Sequence, residues 1–366
     1  MKRISKLNIA IIGGGVAGLS MAFFLQKTGA LVTVYEREGK FKQQGLGFLI
    51  MPNGYKVFNR MGMLGKVQKE GMPILKTLLI NEKGKVNTIQ NMACCYSISR
   101  PACIRLLEES VGYENIQYNK EIVAFHEKND LVYQIEFKDG TLINPDMIIA
   151  SDGMNSRTRK YLFPDHKITA VEEKEIVSVV HSPELSKKLK HTFVKLLCPE
   201  KGFNMGIIPV GADELVWYIQ INGNILKPPG KNILEMNAFC KQISHSLPNI
   251  FKRVLEITNY AHAYIWEMNS MELLPSFHKK GILLTGDAAH PLLSFTSQGA
   301  SSALDDAWYF NELVHSEYSS HEQLFTTFYN GRKKVIQQYI SDGKILLDQF
   351  LFPYQYSTVS LPFCKP

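Results

Sequence analysis

The apolar positions at the start of the chain follow two different periods. Residues 7–12 form a short, mostly apolar run that is typical of a buried strand, and three glycines follow it directly. From Leu19 the apolar residues recur at helical spacing until Gly29 interrupts them. A second β-branched run then ends at Glu36. This pattern predicts a strand, a helix and a second strand at the beginning of the chain.

The rest of the chain alternates between strand-like and helix-like stretches. A start at Pro52 and a stop at Gly62 indicate one helix, and Ser99 followed by Pro101 is typical of the N-cap and first turn of another. Further strands are predicted at 74–80, 85–91, 116–144 (a meander), 147–150, 176–181, 193–197, 204–208, 215–221 and 281–285, and further helices at 232–247, 300–314 and 321–350. The mixture predicts an α/β fold with a second, sheet-based domain within residues 170–275.

Composition narrows the class of protein. The 366 residues are enough for two domains, and 45% apolar with 20% charged residues is ordinary for a globular chain. The net charge of +7 is spread along the chain, with no concentrated basic stripe of the kind that binds nucleic acid. We therefore expect no nucleic-acid partner. The positive charge instead favours a mild attraction for an anionic ligand, such as a phosphorylated nicotinamide cofactor.

The spacing of the cysteines and the hydropathy of the chain bear on metal binding and on cellular location. The six cysteines form no CxxC motif and have no histidine at metal-binding spacing, which predicts reduced thiols and no metal site. No apolar run reaches the roughly 18 residues that a membrane span needs, and the first residues do not resemble a signal peptide. We expect a cytoplasmic protein without stable membrane insertion. A nucleophile elbow is also absent from the sequence, which argues against a hydrolase.

The glycine turn after the first strand carries the first chemical signal. Gly13 permits a tight turn, Gly15 allows backbone to approach a pyrophosphate, and Gly18 allows the helix to pack closely on the strand. Free N–H groups at the helix start favour phosphate. Glu36, at the end of the second strand, is placed for a ribose hydroxyl. The alternative is a plain βαβ turn, but the strand, the helix and the acid together indicate a dinucleotide site.

Three later segments carry polar residues at the ends of predicted elements. Arg100 lies at a helix start beside the expected cofactor, although an exposed helix-start residue is the alternative. The segment 151–159 follows a short apolar strand and places Asp152 at the carboxyl edge of the sheet, where open α/β sheets bind ligands. The segment 286–300 follows another strand and contains Asp287, for which a turn or N-cap aspartate is the alternative.

Together these motifs resemble one family, the FAD-dependent aromatic hydroxylases, which are single-component flavoprotein monooxygenases typified by para-hydroxybenzoate hydroxylase. The resemblance covers residues 7–315. It implies that the glycine turn and Glu36 bind the ADP part of FAD, that Arg100 contacts the flavin, and that the segment beginning at Asp152 serves FAD and NAD(P)H. It also implies that Asp287 holds the ribityl chain. The predicted cofactor-binding residues are Gly13, Gly15, Ala17, Gly18, Glu36, Arg37, Arg100, Asp152, Arg159, Gly286, Asp287, Gln298, Gly299 and Ala300.

The sequence departs from the family pattern after His290. Ser294 and Ser297 stand where the family usually has proline and glycine, and Ser301 stands where it has asparagine, whereas Gln298 and Gly299 are retained. These positions line the flavin ring in the family. The N–H groups of the helix that opens at Gln298 are positioned to stabilise negative charge on the flavin.

The resemblance also implies a domain division. We expect a Rossmann-like FAD-binding domain, a β-sheet-based substrate domain and C-terminal helices. The FAD-binding domain is predicted to be discontinuous, with residues 1–72, 96–168 and 276–350, and the substrate domain to contain 73–95 and 169–275. Residues 351–366 are then a C-terminal tail.

The implied reaction is hydroxylation of an apolar aromatic or polycyclic small molecule. NADPH or NADH reduces FAD, and O2 then forms a flavin C4a-hydroperoxide that transfers one oxygen atom. The hydroperoxide must be kept from water, so we expect an apolar pocket over the ring. Its candidate residues are Phe48, Ile50, Phe203, Met205, Tyr218, Pro291 and Phe295, although residues of these types are more often plain core than pocket. No substrate base is evident, and His290 either touches a ligand or is an ordinarily packed loop histidine.

Other functions remain open at this point. A flavin-dependent reductase or halogenase on the same fold is one alternative, although Trp217, Trp266 and Trp308 are isolated and form no Trp-x-Trp motif. A non-catalytic flavin-binding protein is another. The sequence does not name the substrate, choose between NADPH and NADH, or decide between a monomer and a homodimer.

Overall fold

The computed structural model describes residues 4–39 and 46–355. The α-helices of this part are α1 (Val16–Lys27), α2 (Pro52–Arg60), α3 (Leu64–Glu70), α4 (Arg100–Val111), α5 (Arg157–Leu162), α6 (Pro183–Leu189), α7 (Ile233–Ser244), α8 (Asn249–Glu256), α9 (Gly299–Val314) and α10 (His321–Leu351). The strands are β1 (Asn8–Ile12), β2 (Leu31–Tyr35), β3 (Gly47–Ile50), β4 (Met72–Ile80), β5 (Val86–Ser99), β6 (Ile116–Gln117), β7 (Ile122–Lys128), β8 (Leu131–Phe137), β9 (Leu142–Ile143), β10 (Met147–Ala150), β11 (Ile168–His181), β12 (Thr192–Cys198), β13 (Phe203–Pro209), β14 (Glu214–Asn222), β15 (Tyr264–Met271), β16 (His278–Lys279) and β17 (Ile282–Leu284).

A six-stranded sheet, ordered β16-β17-β10-β1-β2-β6, forms the first layer. Its strands are parallel apart from β16, and their nearly continuous apolar sequence is buried by helices, as parallel sheets require. In the register of the sheet, Ile12 lies beside Ala150, and Ala150 lies beside Leu284. The chain therefore leaves β1, β10 and β17 at one edge, so three loops that are distant in sequence begin side by side.

An eight-stranded sheet, ordered β15-β11-β14-β13-β12-β4-β5-β3, forms the second layer. Its central strands are antiparallel, except that β12 pairs with β4 in parallel. Side chains alternate between the two faces of such strands. One face, with Met205 and Trp217, forms a closed core together with α7 and α8, whereas the other face turns toward the edge at which the three loops begin.

The longest helix joins the two layers. α10 runs for 31 residues, and its Phe325 and Phe328 belong to the core of the first layer. At its far end the side-chain amide of Asn222, on β14, donates to the carbonyl oxygens of Phe350 and Leu351 at 3.1 and 2.9 Å. The helix is therefore fixed to both sheets.

The predicted α/β architecture, with a parallel sheet, a second mainly antiparallel sheet and C-terminal helices, is confirmed. The predicted helix at 232–247 ends earlier, at Ser244, and α8 is a separate helix. β15 and the short helices α3 and α6 were not predicted, because their sequences carry weak periodicity. β5 is one continuous strand to Ser99, so the proposed boundary at 95/96 falls inside it. Residues 356–366 of the predicted tail lie outside the described residues.

Candidate functional site

Two cavities at the carboxyl edge of the parallel sheet share four residues and form one continuous cleft. The shared residues are Gly15, Arg100, Ser151 and Gly153. The chamber, of about 350 Å³, lies between this edge and the second sheet, and its walls include Phe48, Lys195, Tyr218, Asp287, Phe295 and Ala300. The groove, of about 610 Å³, lies along the edge itself and is lined by residues that include Gly14, Glu36, Arg37, Lys120, Asp152 and Arg157. Both volumes are typical of small-molecule sites, which span about 300–1,000 Å³.

The three glycines of the first turn have different physical roles. Gly13 has a φ of +102°, and a Cβ there would collide with the carbonyl oxygen of Ser151. A Cβ on Gly18 would collide with the carbonyl oxygen of Gly13. At Gly15 the φ is −83° and a Cβ would meet no atom of the described residues within 4 Å. The chain itself therefore requires Gly13 and Gly18, whereas the space beside Gly15 is left open in the cleft.

Two helices begin at the cleft without a side-chain cap. Gly15 is the N-cap of α1, and Val16 and Ala17 line the chamber. Gln298 is the N-cap of α9, and Gly299 and Ala300 line the same chamber. The first N–H groups of a helix lack internal partners and carry partial positive charge. The two helix starts therefore make this cleft favourable for negative charge.

Glu36 closes the groove at the end of β2. Its carboxylate accepts hydrogen bonds from the N–H groups of Gly14, at 2.6 Å, and Glu38, at 2.8 Å. Arg37 lines the groove beside it and is mostly exposed. The acid is thus fixed by the backbone of the glycine turn, at the position where a ribose hydroxyl was predicted to bind.

Arg100 projects into the cleft from the first turn of α4. The Ser99 hydroxyl accepts from the Ala102 N–H at 3.4 Å and caps this helix, as its sequence predicts. The guanidinium of Arg100 lies 5.6 Å from the centre of the Phe48 ring, within cation–π range. Because Arg100 lines both the chamber and the groove, it faces a ligand site and is not simply an exposed helix-start residue.

The loop after β10 is held by its own polar side chains. The Asp152 carboxylate accepts from the Ser156 hydroxyl and from the N–H and hydroxyl of Thr158, at 3.1 and 3.0 Å, so it supports the start of α5 while it borders the groove. Arg159 was predicted to bind the cofactor directly, and the structure contradicts this. Its side chain is buried and donates to the carbonyl oxygens of Asp287 and Ala288 at 2.9 and 3.0 Å, because the helical turn of α5 points it inward.

Asp287 reaches the chamber from the loop after β17. Burial raises the pKa of its carboxyl group, and the charges of His290, Arg100 and Arg159 partly oppose this rise. Gly286 precedes it with a φ of +57°, and a Cβ there would lie 2.7 Å from the Cβ of Ala17. The loop therefore packs directly against the start of α1, which brings Asp287 and the glycine turn to the same cleft.

A buried network beneath this loop was not predicted. The Asp306 carboxylate, on α9, accepts from the Gly286 N–H at 3.1 Å and from the Arg332 Nε at 2.7 Å, and it lies 2.7 Å from the His290 Nε2. All three side chains are at least 95% buried. The suggestion that His290 touches a ligand is therefore wrong, because its ring points into this network.

Three of the seven predicted pocket residues line the chamber: Phe48, Tyr218 and Phe295. Phe203 and Met205 were wrongly placed there. On β13 their side chains lie on the same face as that of Ile207, and this face packs into the closed core with α7 and α8. Ile50 is fully buried toward Gly54, and Pro291 is buried outside the chamber lining. The side chain of Gln298 accepts from the Asn53 amide at 3.2 Å and joins α9 to α2.

Charged residues of the chamber were missed. Glu175 on β11 and Lys195 on β12 line it together with Gln220. Burial raises the pKa of Glu175 to about 7 and lowers the pKa of Lys195 to about 8. A signal was present in the sequence for Lys195, because it interrupts the otherwise apolar strand β12 at a position of inward parity. Glu175 follows three other charged residues on β11 and carries no such signal.

Among the described residues no cluster of three or more histidine, cysteine or acidic side chains could hold a metal ion. The five cysteines in this part of the chain are free thiols. Within residues 4–39 and 46–355, no helix is both long and apolar enough to cross a membrane.

A parallel sheet whose glycine turn, acidic β2 end and third loop meet at one cleft is typical of dinucleotide-binding proteins. Residues 6–342 match the model of the FAD binding domain family. The match covers most of the chain, and the protein belongs to this family.

Its relatives and structural neighbours are FAD-dependent monooxygenases. The chain is 26% identical over 328 residues to the 3-amino-4-hydroxybenzoate 2-monooxygenase PtmB3 of Streptomyces platensis, with 84% of this chain and 79% of that protein covered. The fold matches Klebsiella pneumoniae HpxO, complexed with FAD and uric acid, with a TM-score of 0.85 at 18% identity over 94% of this chain and 89% of that one. Pseudomonas aeruginosa PqsL, in complex with 2-aminobenzoylacetate, matches with a TM-score of 0.79 at 17% identity over 95% and 98% of the two chains. The predicted class of enzyme, an FAD-dependent monooxygenase, is confirmed.

The cleft fits the cofactor of this family. Space beside Gly15 is free of protein atoms where a pyrophosphate approaches in such turns, and two uncapped helix starts face the same cleft. A carboxylate stands at each end, Glu36 in the groove and Asp287 in the chamber. These are the polar groups that an extended dinucleotide requires.

Proposed function

We propose that the protein is an aromatic hydroxylase that inserts one atom of O2 into a small aromatic substrate and uses NADPH or NADH as reductant. The observation that supports it most directly is the chamber, which is continuous with the groove and is enclosed by the second sheet. If the ADP part of FAD binds in the groove, its flavin ring would reach this chamber. The names of PtmB3 and of the PqsL complex, which indicate aromatic compounds, support the substrate class.

The chain offers a ligand for each part of FAD. Glu36 would bind the adenosine ribose, the turn at Gly14 and Gly15 the pyrophosphate, and Asp287 the ribityl hydroxyls. The N–H groups at Gly299 and Ala300 would stabilise negative charge on the ring. When bound, FAD accepts hydride from the reduced nicotinamide and activates O2 for oxygen transfer.

The remaining task of the chain is to position the substrate and to exclude water. The apolar side of the chamber is formed by Phe48, Phe193, Ile208, Val216, Leu293 and Phe295. Such walls lower the local dielectric and protect reactive oxygen species from hydrolysis or proton leakage. Asp306 and Arg159 would act indirectly, because they form hydrogen bonds to the loop that carries Asp287 and so fix its position.

Oxygen labelling tests this function. Purified holoenzyme should oxidise NADPH or NADH faster when a suitable aromatic compound from a phenol, quinone and polycyclic panel is added, and the product should carry one atom from 18O2. Substrate-dependent product without label would indicate a reductase, and a halide-dependent product would indicate a halogenase. A yellow protein with no stimulated oxidation across the panel would indicate a non-catalytic flavin-binding protein.

Replacement of Asp287 by alanine should weaken FAD retention without unfolding the protein. The loss of one charge-assisted hydrogen bond, worth about 1.5–3 kcal/mol, predicts a dissociation constant higher by roughly 10–100-fold. Flavin absorbance of dialysed protein and the melting temperature of the apoprotein measure the two effects. Asp213→Ala is the control, because Asp213 lies on an exposed loop and lines neither cavity. Equal FAD affinity in Asp287→Ala and Asp213→Ala would contradict the assigned contact.

We also propose the discontinuous domain division stated above, with the boundary at 95/96 moved to the end of β5 at Ser99. In this division the parallel sheet binds FAD, and residues 73–99 and 169–275 bind substrate. A cytoplasmic location fits the need for reduced nicotinamide and the free thiols of the chain. Size-exclusion chromatography with light scattering would distinguish a monomer from a homodimer.

A further inference from the structure

We propose that Lys195 and Glu175 form a polar clamp in the chamber that selects an aromatic substrate carrying both an oxyanion, bound by Lys195, and an O–H or N–H donor, bound by Glu175. This inference rests on the proposed function, because it takes the chamber as the substrate site. It assigns the two residues a specificity role, whereas the flavin ligands lie at the opposite wall.

The sheet places the two side chains on opposite sides of the chamber floor. Glu175 lies on β11 and Lys195 on β12, and β14 and β13 lie between them. With about 4.8 Å between neighbouring strands, their backbones are roughly 14 Å apart. Glu175 is paired with Gln220 across β11 and β14, and Lys195 with Gly206 across β12 and β13. All four positions therefore share the face that turns to the chamber.

Space between the two charges is kept by a glycine. A Cβ on Gly206 would collide with the ring of Tyr218, its partner on β14. The Tyr218 ring therefore lies across Gly206 and forms a flat aromatic floor between Glu175 and Lys195. An aromatic substrate can stack on such a ring while its polar groups reach the charges at either side.

The charges do not satisfy each other. No hydrogen bond or ion pair within 4.0 Å joins Lys195 to another residue in the part of the chain that the structure describes, although its side chain is 93% buried. Glu175 has one weak partner, the Ser294 hydroxyl at 3.3 Å. The side-chain amide oxygen (Oε1) of Gln220 is also buried without a hydrogen-bond partner among these residues. A buried cation without a direct partner is unfavourable unless a ligand supplies one.

The chemistry of the unpaired groups defines the ligand. A lysine ammonium only donates hydrogen bonds, and it binds a negatively charged oxygen most strongly. The Glu175 carboxylate and the Gln220 oxygen accept, so they bind an O–H or N–H group. Aryl carboxylates that carry a hydroxyl or amino group, and acidic phenols that carry one, meet both requirements.

Titration should change the affinity in a defined direction. Burial lowers the pKa of Lys195 to about 8, and the nearby charges of Glu175 and Glu173 partly oppose this. Deprotonation of Lys195 removes the positive charge that binds the oxyanion. The affinity for the oxyanion should therefore fall as the pH rises through about 8. The other titratable groups around the chamber are Arg100, Glu173, Tyr218 and Asp287.

The test measures binding to the holoenzyme through the visible spectrum of its flavin. The probes are salicylate and a hydroxynaphthoate, each compared with its neutral amide, and benzoate as a carboxylate without the hydroxyl. Wild type should bind each hydroxy acid more tightly than its amide. Lys195→Met should reduce this preference by roughly 10–100-fold, the range expected for a charge-assisted hydrogen bond. Lys195→Arg should retain it, and Glu175→Gln should reduce the advantage of salicylate over benzoate.

Lys174→Met is the matched control, because Lys174 lies next to Glu175 on β11 but points to the other face and is 41% exposed. Its preference should equal that of wild type. An unchanged preference in Lys195→Met, or no binding of any hydroxy acid to yellow wild-type protein, would overturn the proposal. If Lys195→Met fails to fold, the affinity of wild type for the hydroxy acids is measured against pH instead. A fall in this affinity above about pH 8 would support the clamp, and a constant affinity would contradict it. Failure of the proposed function is distinct, since it would appear as colourless protein or unlabelled product.

Discussion

Gly15→Val should yield a protein that folds normally and loses FAD. The backbone at Gly15 is extended, and a side chain there meets no described protein atom within 4 Å, so valine fits the chain itself. The added methyl groups would instead occupy the space of a bound pyrophosphate. The loss of about two charge-assisted hydrogen bonds, each worth about 1.5–3 kcal/mol, predicts an affinity lower by roughly 100-fold or more.

Two measurements and two control variants distinguish an effect on FAD binding from an effect on folding. Flavin absorbance of the purified protein reports the affinity, and thermal unfolding of the apoprotein reports the fold. Gly18→Val should unfold the protein, since its side chain would enter the carbonyl of Gly13. Gly65→Val, in α3, also adds a side chain in open space and should keep both fold and flavin. Full FAD occupancy in Gly15→Val would refute the pyrophosphate site.

Asp306→Asn should lower the stability of the folded protein by a measurable amount without unfolding it. The substitution preserves shape but removes the negative charge that Arg332 and His290 share in the buried network. Breaking a buried ion pair by removing one partner costs about 3–5 kcal/mol. For a chain of this size we expect a melting temperature lower by roughly 4–7 °C. The loop at Gly286 loses an acceptor as well, so FAD affinity should fall with stability.

The pH dependence gives this prediction a sign. Burial would raise the pKa of Asp306, but the charges of His290 and Arg332 and its hydrogen bonds bring that pKa below its usual value. The carboxylate therefore stabilises the folded state above about pH 4, the pKa of an unfolded aspartate, and this contribution is lost as the pH falls further. The stability difference between wild type and Asp306→Asn should shrink below about pH 4.

Urea unfolding at several pH values measures this difference. Asp305→Asn is the comparison, because Asp305 pairs with the same Arg332 at 2.6 Å but is 27% exposed. It should lose much less stability, as solvent screens a partly exposed charge. Equal losses in the two variants, or a difference that does not change with acid, would contradict the role of the buried network.

The glycine turn was predictable because its chemistry is local. The strand, the turn and the helix follow one another within 30 residues, and each glycine answers a local steric demand. The loops at Asp152 and Asp287 were also placed at the correct edge, since the carboxyl ends of parallel strands share one edge. Resemblance to a family added the cofactor, which a turn alone does not specify.

The substrate side was less predictable because it depends on strand parity and long-range packing. A shift of one residue moves a side chain to the other face of a sheet, which is why Phe203 and Met205 were assigned to the wrong side. Arg159 lies on α5 and His290 in a loop, and each has a partner, Asp287 or Asp306, more than 15 positions away in sequence. Lys195 was overlooked because a single lysine in an apolar strand is informative only when the facing strands are known.

The order of strands has a consequence for biosynthesis. β1 leaves the ribosome early, yet its neighbour β10 and the next strand, β17, are translated much later. Parallel pairing across such separations is intrinsically slow, and an unpaired strand edge invites association with other nascent chains. A polypeptide arrested before Thr285 contains only two of the three loops. A cofactor site that needs all three loops is therefore complete only after translation has passed α9.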